Sequence, residues 1–179
     1  MHENYHQTSP PTVDMKEELE LKLVEKFPKL LTDYKCDPKE SCLAFGMECD
    51  NGWYIPIHDY LAQVNKMCEL DKSITAKIQQ IKEKFGRLRI YIYIDGGDEI
   101  TRDIIYSLAH YVEEKSANIC EVSGNYGSLC HSGMWYKTLS YDVVKAEGSR
   151  YSDYVPTDEV TAANWKKEIC NMSNKSSHT

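Results

Sequence analysis

The sequence predicts an α+β fold, a small antiparallel sheet or hairpin packed with three to four helices, and three patterns predict it. Residues 87–94 alternate strictly: Leu88, Ile90, Ile92 and Ile94 face one way, and Arg89, Tyr91, Tyr93 and Asp95 the other. That is the period-2 signature of a half-buried strand. Ile57, Leu61, Val64 and Cys68 recur at helical spacing, as do Ile100, Ile104, Leu108 and Tyr111. Glycine turns at Asn51-Gly52, Phe85-Gly86 and Gly96-Gly97 punctuate these runs.

Met1 to Asp14 is polar, carries Pro10-Pro11, and reads as a disordered N-terminus without the apolar stretch of a signal peptide. Asp14 is placed to cap a helix beginning at Met15, with Glu17 and Glu18 in the first turn where the helix dipole favours them. Leu19, Leu23 and Phe27 are its expected buried stripe, and Pro28 interrupts before a short further turn over residues 29–33. A short strand over Leu43 to Glu48 is expected to end at Asp50-Asn51-Gly52. Pro56 to Leu70 reads as a helix with proline near its start. Residues 76–82 are placed to pair with the alternating strand through Phe85-Gly86, although Ile74, Ile78 and Ile81 also fit a helix.

Asp98 is the expected N-cap of a helix ending near Ala117, with Ile100, Ile104, Leu108 and Tyr111 as its core stripe. Residues 118–147 read as short strands joined by Gly124, Gly127 and Gly133. A polar connection over Glu147 to Asp153 leads to a last helix over Asp158 to Cys170. The expected organisation is therefore a disordered residues 1–14, an α+β domain over 15–117 and a segment over 118–147 packed on it. A linker and C-terminal helix over 148–170 and a disordered tail over 171–179 complete it.

A chain of 179 residues is long enough for one domain with a substantial core. The net charge of −7 argues against general attraction to DNA or to anionic membranes. No apolar run approaches the ~20 residues that span a bilayer. Seven cysteines, an odd number without a Cys-x-x-Cys pair, read as reduced thiols in a cytoplasm.

Three constellations bear on chemistry. The block Lys82 to Arg89 leads into Tyr91 and Tyr93, and residues 77–89 hold five basic residues against one acid in an acidic chain. A row of cations beside flat rings can hold a phosphate and stack a base. Glu48-Cys49-Asp50-Asn51-Gly52-Trp53-Tyr54 sets carboxylates next to two large aromatics, the raw material of an acid–base or metal-assisted hydrolase using Glu48 and Asp50. Cys120 and the adjacent Cys130-His131 do not reach the four soft ligands of structural zinc. No nucleophile elbow and no P-loop occur.

The order of several blocks resembles a family of uncharacterised proteins of tailed bacteriophages and prophages. Its landmarks here are Phe27-Pro28-Lys29-Leu30, Glu40-Ser41-Cys42, residues 45–54, residues 81–89, Asp95 to Glu99, and residues 119–124, with Gly133, Trp135, Lys137, Thr138 and Leu139 beyond. Family members carry two Cys-x-x-Cys pairs in the last segment. The resemblance therefore implies a zinc-ribbon-like segment, but at those positions this chain has Cys120 and Ser123, then Ser140 and Val143. Hydroxyl and isopropyl groups do not replace thiolates on zinc. The resemblance so implies a degenerate, metal-free ribbon in which Cys120 is the sole remaining ligand position, held together by Val122, Leu129, Trp135 and Leu139. The phage context implies an accessory protein of the host bacterial cytoplasm that antagonises a host defence.

The expected function is non-enzymatic: binding or sequestering a nucleotide-like ligand with Lys84, Arg87, Arg89, Tyr91 and Tyr93, helped by Trp53 and Tyr54, without a cofactor. The alternatives are a protein–protein interaction module inhibiting a host defence protein, and the Glu48/Asp50 hydrolase. Self-association stays open.

Overall fold

Two sheets of three strands each and five helices make up residues 14–176, the part of the chain described in the structure, a computed structural model. The expected disorder of residues 1–13 and 177–179 lies outside the described residues. The fold is α+β, as the alternation predicts.

The first sheet has the order β1-β2-β3. The strands β2 (Thr75–Lys84) and β3 (Arg87–Asp95) form the antiparallel hairpin, and the short β1 (Met47–Glu48) adds in parallel to β2. A bulge at Gln79 resolves the ambiguity between helix and strand. It shifts the register between Ile78 and Gln80, so Ile78 and Ile81, three residues apart, both face the core. The hairpin turns on Phe85 (φ 53°) and Gly86 (φ 75°), two successive left-handed residues that match the twist of the strands. Phe85 adopts this conformation without glycine's freedom and is 69% exposed.

Helix α1 (Glu17–Lys26) follows Lys16, not Asp14: Lys16 has no capping side chain, and its amide donates to Asn51 Oδ1 at 2.9 Å. Leu19 is only half-buried. The buried position is Glu20, whose carboxylate accepts the Met47 amide at 2.5 Å and the Tyr34 hydroxyl at 2.7 Å. The strand expected over residues 43–48 is mostly a 3-10 turn over Cys42–Phe45. Ser41 Oγ accepts the Leu43 amide and Gly46 (φ 84°) ends the turn, so only Met47 and Glu48 remain to pair. Helix α2 (Tyr54–Leu70) begins two residues before Pro56 and buries Ile57, Tyr60, Leu61 and Val64.

Helix α3 (Glu99–Ser116) has the expected cap, Asp98 Oδ1 accepting the Thr101 amide at 2.8 Å. Its buried face is not the expected one. Ile105, Ala109, Val112 and Ser116 point inward, while Ile100 and Tyr111 are 73% and 58% exposed. The reason is the open edge of β3. The Leu88 amide donates to Ser116 Oγ and the Ile90 amide to Glu113 Oε1, both at 2.9 Å. Edge amides left without partners cost more than exposing a few aliphatic side chains, and the small Ala109 and Ser116 let the helix approach closely.

The second sheet, of order β5-β4-β6, is antiparallel: β4 (Ser128–Ser132), β5 (Trp135–Leu139) and β6 (Val155–Pro156). Helix α4 (Tyr141–Lys145) was not expected, and α5 (Glu159–Ser176) runs past the expected end at Cys170. Two apolar clusters result. The larger extends from Met15 to Val112; the smaller joins Cys120, Cys130, Leu139, Val144, Tyr151 and Tyr154, with Val122, Val143 and Trp165 packed on it.

Two outcomes are expected. Phe85→Asn replaces a strained residue with one suited to a left-handed turn, and it should raise stability by about 1 kcal/mol in urea unfolding. Burial pushes the Cys49 thiol well above its usual value and Cys130 up to about 12, and burial, aided by neighbouring carboxylates, pushes Tyr34 and Tyr151 up to about 12. The unfolded chain releases these protons near pH 9 for the thiols and pH 10 for the phenols, while the folded chain keeps them. Raised folded values mean that this stability is full below pH 9 and is lost as pH rises toward 12. The urea midpoint should hold between pH 7 and 8.5 and fall by pH 10.5, less steeply in Cys130→Ala.

Candidate functional site

The hairpin register does assemble the expected basic and aromatic row. Lys84 opposes Arg87, Lys82 opposes Arg89, and Gln80 and Lys77 oppose Tyr91 and Tyr93. The two guanidinium groups are engaged, however. Arg87 Nη1 lies 2.6 Å from Glu114 Oε1, and Arg89 Nη1 lies 3.4 Å from Glu113 Oε2, both acids on α3. Lys77 pairs with Asp33 at 3.0 Å. Lys82 Nζ sits 5.4 Å over the Tyr91 ring and Lys84 Nζ 5.8 Å over Phe85. Tyr91 lines a cavity of about 380 Å³ together with Asp33, Lys39, Glu40 and Gln80, a wall with two carboxylates against one amine.

The aromatics from the preceding block do not join this row. Trp53 is fully buried, and its indole N–H donates to the Ile119 carbonyl at 2.8 Å, so it has no face to offer a ligand. Tyr54 is half-buried beside His58, ring centroids 6.2 Å apart. The carboxylates separate as well. Glu48 Oε2 accepts from Gln80 at 2.6 Å, while Asp50 is buried and accepts the Asn51 amide at 2.6 Å. Burial pushes the Asp50 carboxyl up from its ordinary value. Among the described residues no group of three or more His, Cys, Asp or Glu is placed to hold a metal ion.

This block is a joint between the two halves. The Gly52 amide donates to the Glu121 carbonyl at 2.7 Å, and a Cβ on Gly52 would come within 2.2 Å of the Cys120 carbonyl oxygen. Only glycine permits that approach. Glu121, 1% exposed, accepts the Asp50 amide at 3.2 Å and Lys137 Nζ at 2.7 Å. Burial pulls Lys137 down, but Glu121 holds it above its ordinary value, while burial pushes the Glu121 carboxyl up against the pull of Lys137.

Three of the four ribbon positions, Cys120, Ser123 and Ser140, meet at one place. The Ser123 amide points at Cys120 Sγ, 3.4 Å away, and Ser123 Oγ lies 3.4 Å from Ser140 Oγ. Ser140 precedes α4 and Val143 packs on the cluster containing Cys120. Of the residues expected to hold this segment by packing, Leu139 and Val122 do so. Trp135 is 40% exposed, and Tyr151, Tyr154, Val144 and Cys130 fill the space instead.

A further surface was misassigned to the core in the sequence. Of the α3 stripe, Ile100, Ile104 and Tyr111 lie outward while the half-buried Leu108 packs on the core, and Ile104 and Leu108 line a shallow groove of about 460 Å³ with Ala62 and Met67 of α2. Lys66 borders this groove, and Asp103 borders an adjoining hollow on α3 lined by Ile100, Ile104, Leu108 and Tyr111.

The described residues thus define an α+β protein with two small sheets, and no helix among them is long and apolar enough to cross a membrane. No protein-family model, curated protein or solved structure matches the chain.

With Cys120, Ser123 and Ser140 together and Val143 three residues beyond Ser140 in α4, the variant Ser123→Cys/Ser140→Cys/Val143→Cys should bind one zinc ion per chain and melt at a lower temperature after chelation. The parent, with one thiol in that set, should show neither effect. A triple variant that takes no zinc would contradict the convergence.

Proposed function

We propose that the protein is a non-enzymatic interaction module, an accessory protein of phage origin that docks a host protein along the α2–α3 groove. The observation that carries this reading is the outward aliphatic stripe. Exposed contiguous apolar surface of this kind marks interaction sites. Ile100, Ile104, Leu108 and Tyr111 recur at the spacing of one helix face, and Ala62 and Met67 form the opposite wall. The occupant with matching chemistry is an amphipathic helix, apolar along one face, acidic on the flank that meets Lys66 and basic on the flank that meets Asp103.

Ile100→Asp/Ile104→Asp leaves the buried face untouched and should preserve the melting temperature. It should weaken capture of the partner from host lysate at least about tenfold, and α3 should gain protection from hydrogen exchange in the captured complex. Capture unchanged by this variant overturns the reading. So does a concentration-dependent dimer that the variant abolishes, because the groove would then belong to a second copy.

One observation favours a second reading, a nucleotide-like ligand: the Lys82 ammonium lies over the Tyr91 ring beside Arg89 and the cavity Tyr91 lines. Calorimetry with cyclic and ADP-ribose-type nucleotides tests it. Heat that disappears in Tyr91→Ala would support this reading, and no heat with any of them retires it. The engaged arginines make it the weaker of the two.

A further inference from the structure

The loop before β4, the start of α4 and one face of α5 line a cavity of about 490 Å³. Its walls include Tyr126, Tyr141 and Trp165, and among the described residues its charged groups are the carboxylates of Asp142 and Glu168. The Tyr141 and Trp165 rings stand nearly perpendicular, 75° apart with centroids 5.5 Å from each other, and so make a corner of two aromatic walls. Tyr126, 76% exposed, stands beside them with its ring open to solvent. Helix geometry accounts for the charge pattern. Thr161, Trp165 and Glu168 follow at i, i+4 and i+7 along α5 and share the face that lines the cavity, while Lys166 and Lys167 fall on other sides of the helix. Partial desolvation, and then Glu168 and Asp142, push the Tyr141 hydroxyl above its ordinary value, which agrees with both carboxylates lying close to the ring.

We infer that this cavity is a binding site for an organic cation, an alkylammonium or guanidinium group. Aromatic faces attract such cations through their quadrupoles, and the two carboxylates supply the counter-charge. An anion or a phosphate would meet the two carboxylates there. The volume accommodates a trimethylammonium or guanidinium head with water beside it. The site is separate from the α2–α3 groove, so it stands or falls independently of the proposed function.

The test is a titration followed by the indole N–H cross-peak of Trp165, assigned with Trp165→Phe. Choline serves as the small-ion arm, N-acetyl-arginine methylamide as the side-chain arm, and 3,3-dimethylbutanol as the neutral isostere of choline. At least one cation should shift the peak with a Kd on the order of 1 mM, and the neutral isostere should not. Stronger binding by choline identifies a free quaternary amine as the source, and stronger binding by the arginine derivative a peptide side chain. Asp142→Asn/Glu168→Gln, both exposed positions, should keep the melting temperature and weaken the preferred cation about tenfold. No shift with either cation overturns the inference. Equal shifts from choline and its isostere overturn it too, because the hollow would then be merely apolar.

Discussion

Glu121 is the residue on which the two halves of the molecule depend. Its main chain accepts from Gly52 and donates to Thr138, and its carboxylate accepts from Asp50 and Lys137. One residue thereby ties the turn before α2 to β5. Taking a carboxylate to 1% exposure carries a desolvation penalty that Lys137 and the Asp50 amide offset only while both are present. Loss of the Lys137 ammonium leaves a buried carboxylate uncompensated, typically a destabilisation of about 3–5 kcal/mol. Gly52 and Gly86 serve the same junction. A Cβ on Gly86 would meet Leu129 Cδ1 at 2.3 Å, and Thr138 Oγ1 donates to the Gly86 carbonyl at 2.6 Å, which docks the hairpin tip on the second sheet.

The junction also changes the meaning of a sequence motif. Glu48 to Tyr54 looked like a carboxylate and aromatic site, because residue types alone cannot distinguish a group that binds a ligand from one that binds the rest of the chain. Trp53 reaches the Ile119 carbonyl and Asp50 the Lys137 neighbourhood, so its apparent chemistry is consumed internally. The arginine row behaves likewise. Arg87 and Arg89 meet Glu114 and Glu113 from a helix some 25 residues later, a pairing that no local pattern announces.

What was legible in the sequence was local. Strict alternation at residues 87–94 gave β3, the Asp98 cap gave the start of α3, and helical spacing gave α2. The near misses were also physical. Ile78 and Ile81 suggested a helix because a bulge at Gln79 imitates a three-residue repeat. Residues 43–48 have strand composition, but the Ser41 cap and the left-handed Gly46 turn them into a 3-10 element. The buried face of α3 could not be read from the helix at all. Its aliphatic stripe has the stronger pattern, yet the unpaired amides of Leu88 and Ile90 select the face bearing Glu113 and Ser116. Tyr151 and Tyr154 escaped notice because they sit in a polar connection whose two rings fold back on the Cys120 cluster.

The same competition determines what kind of surface the molecule presents. Had α3 turned its aliphatic stripe inward, Glu113 and Glu114 would have rotated away from β3, leaving two arginines free and an edge unprotected. The observed rotation pairs both arginines of the row with acids and exposes hydrocarbon on the other face of α3. A contact through such a face gains its free energy mainly from removing apolar area from water, about 25 cal/mol per Å² before the costs of association. Its signature is a negative heat-capacity change, with little dependence on ionic strength beyond the two flanking charges, Lys66 and Asp103. A contact through the free arginines would have shown the opposite, a steep loss of affinity with salt. The hydrogen-bonding demand of two backbone amides thus decides which face of α3 is buried and which is left on the surface.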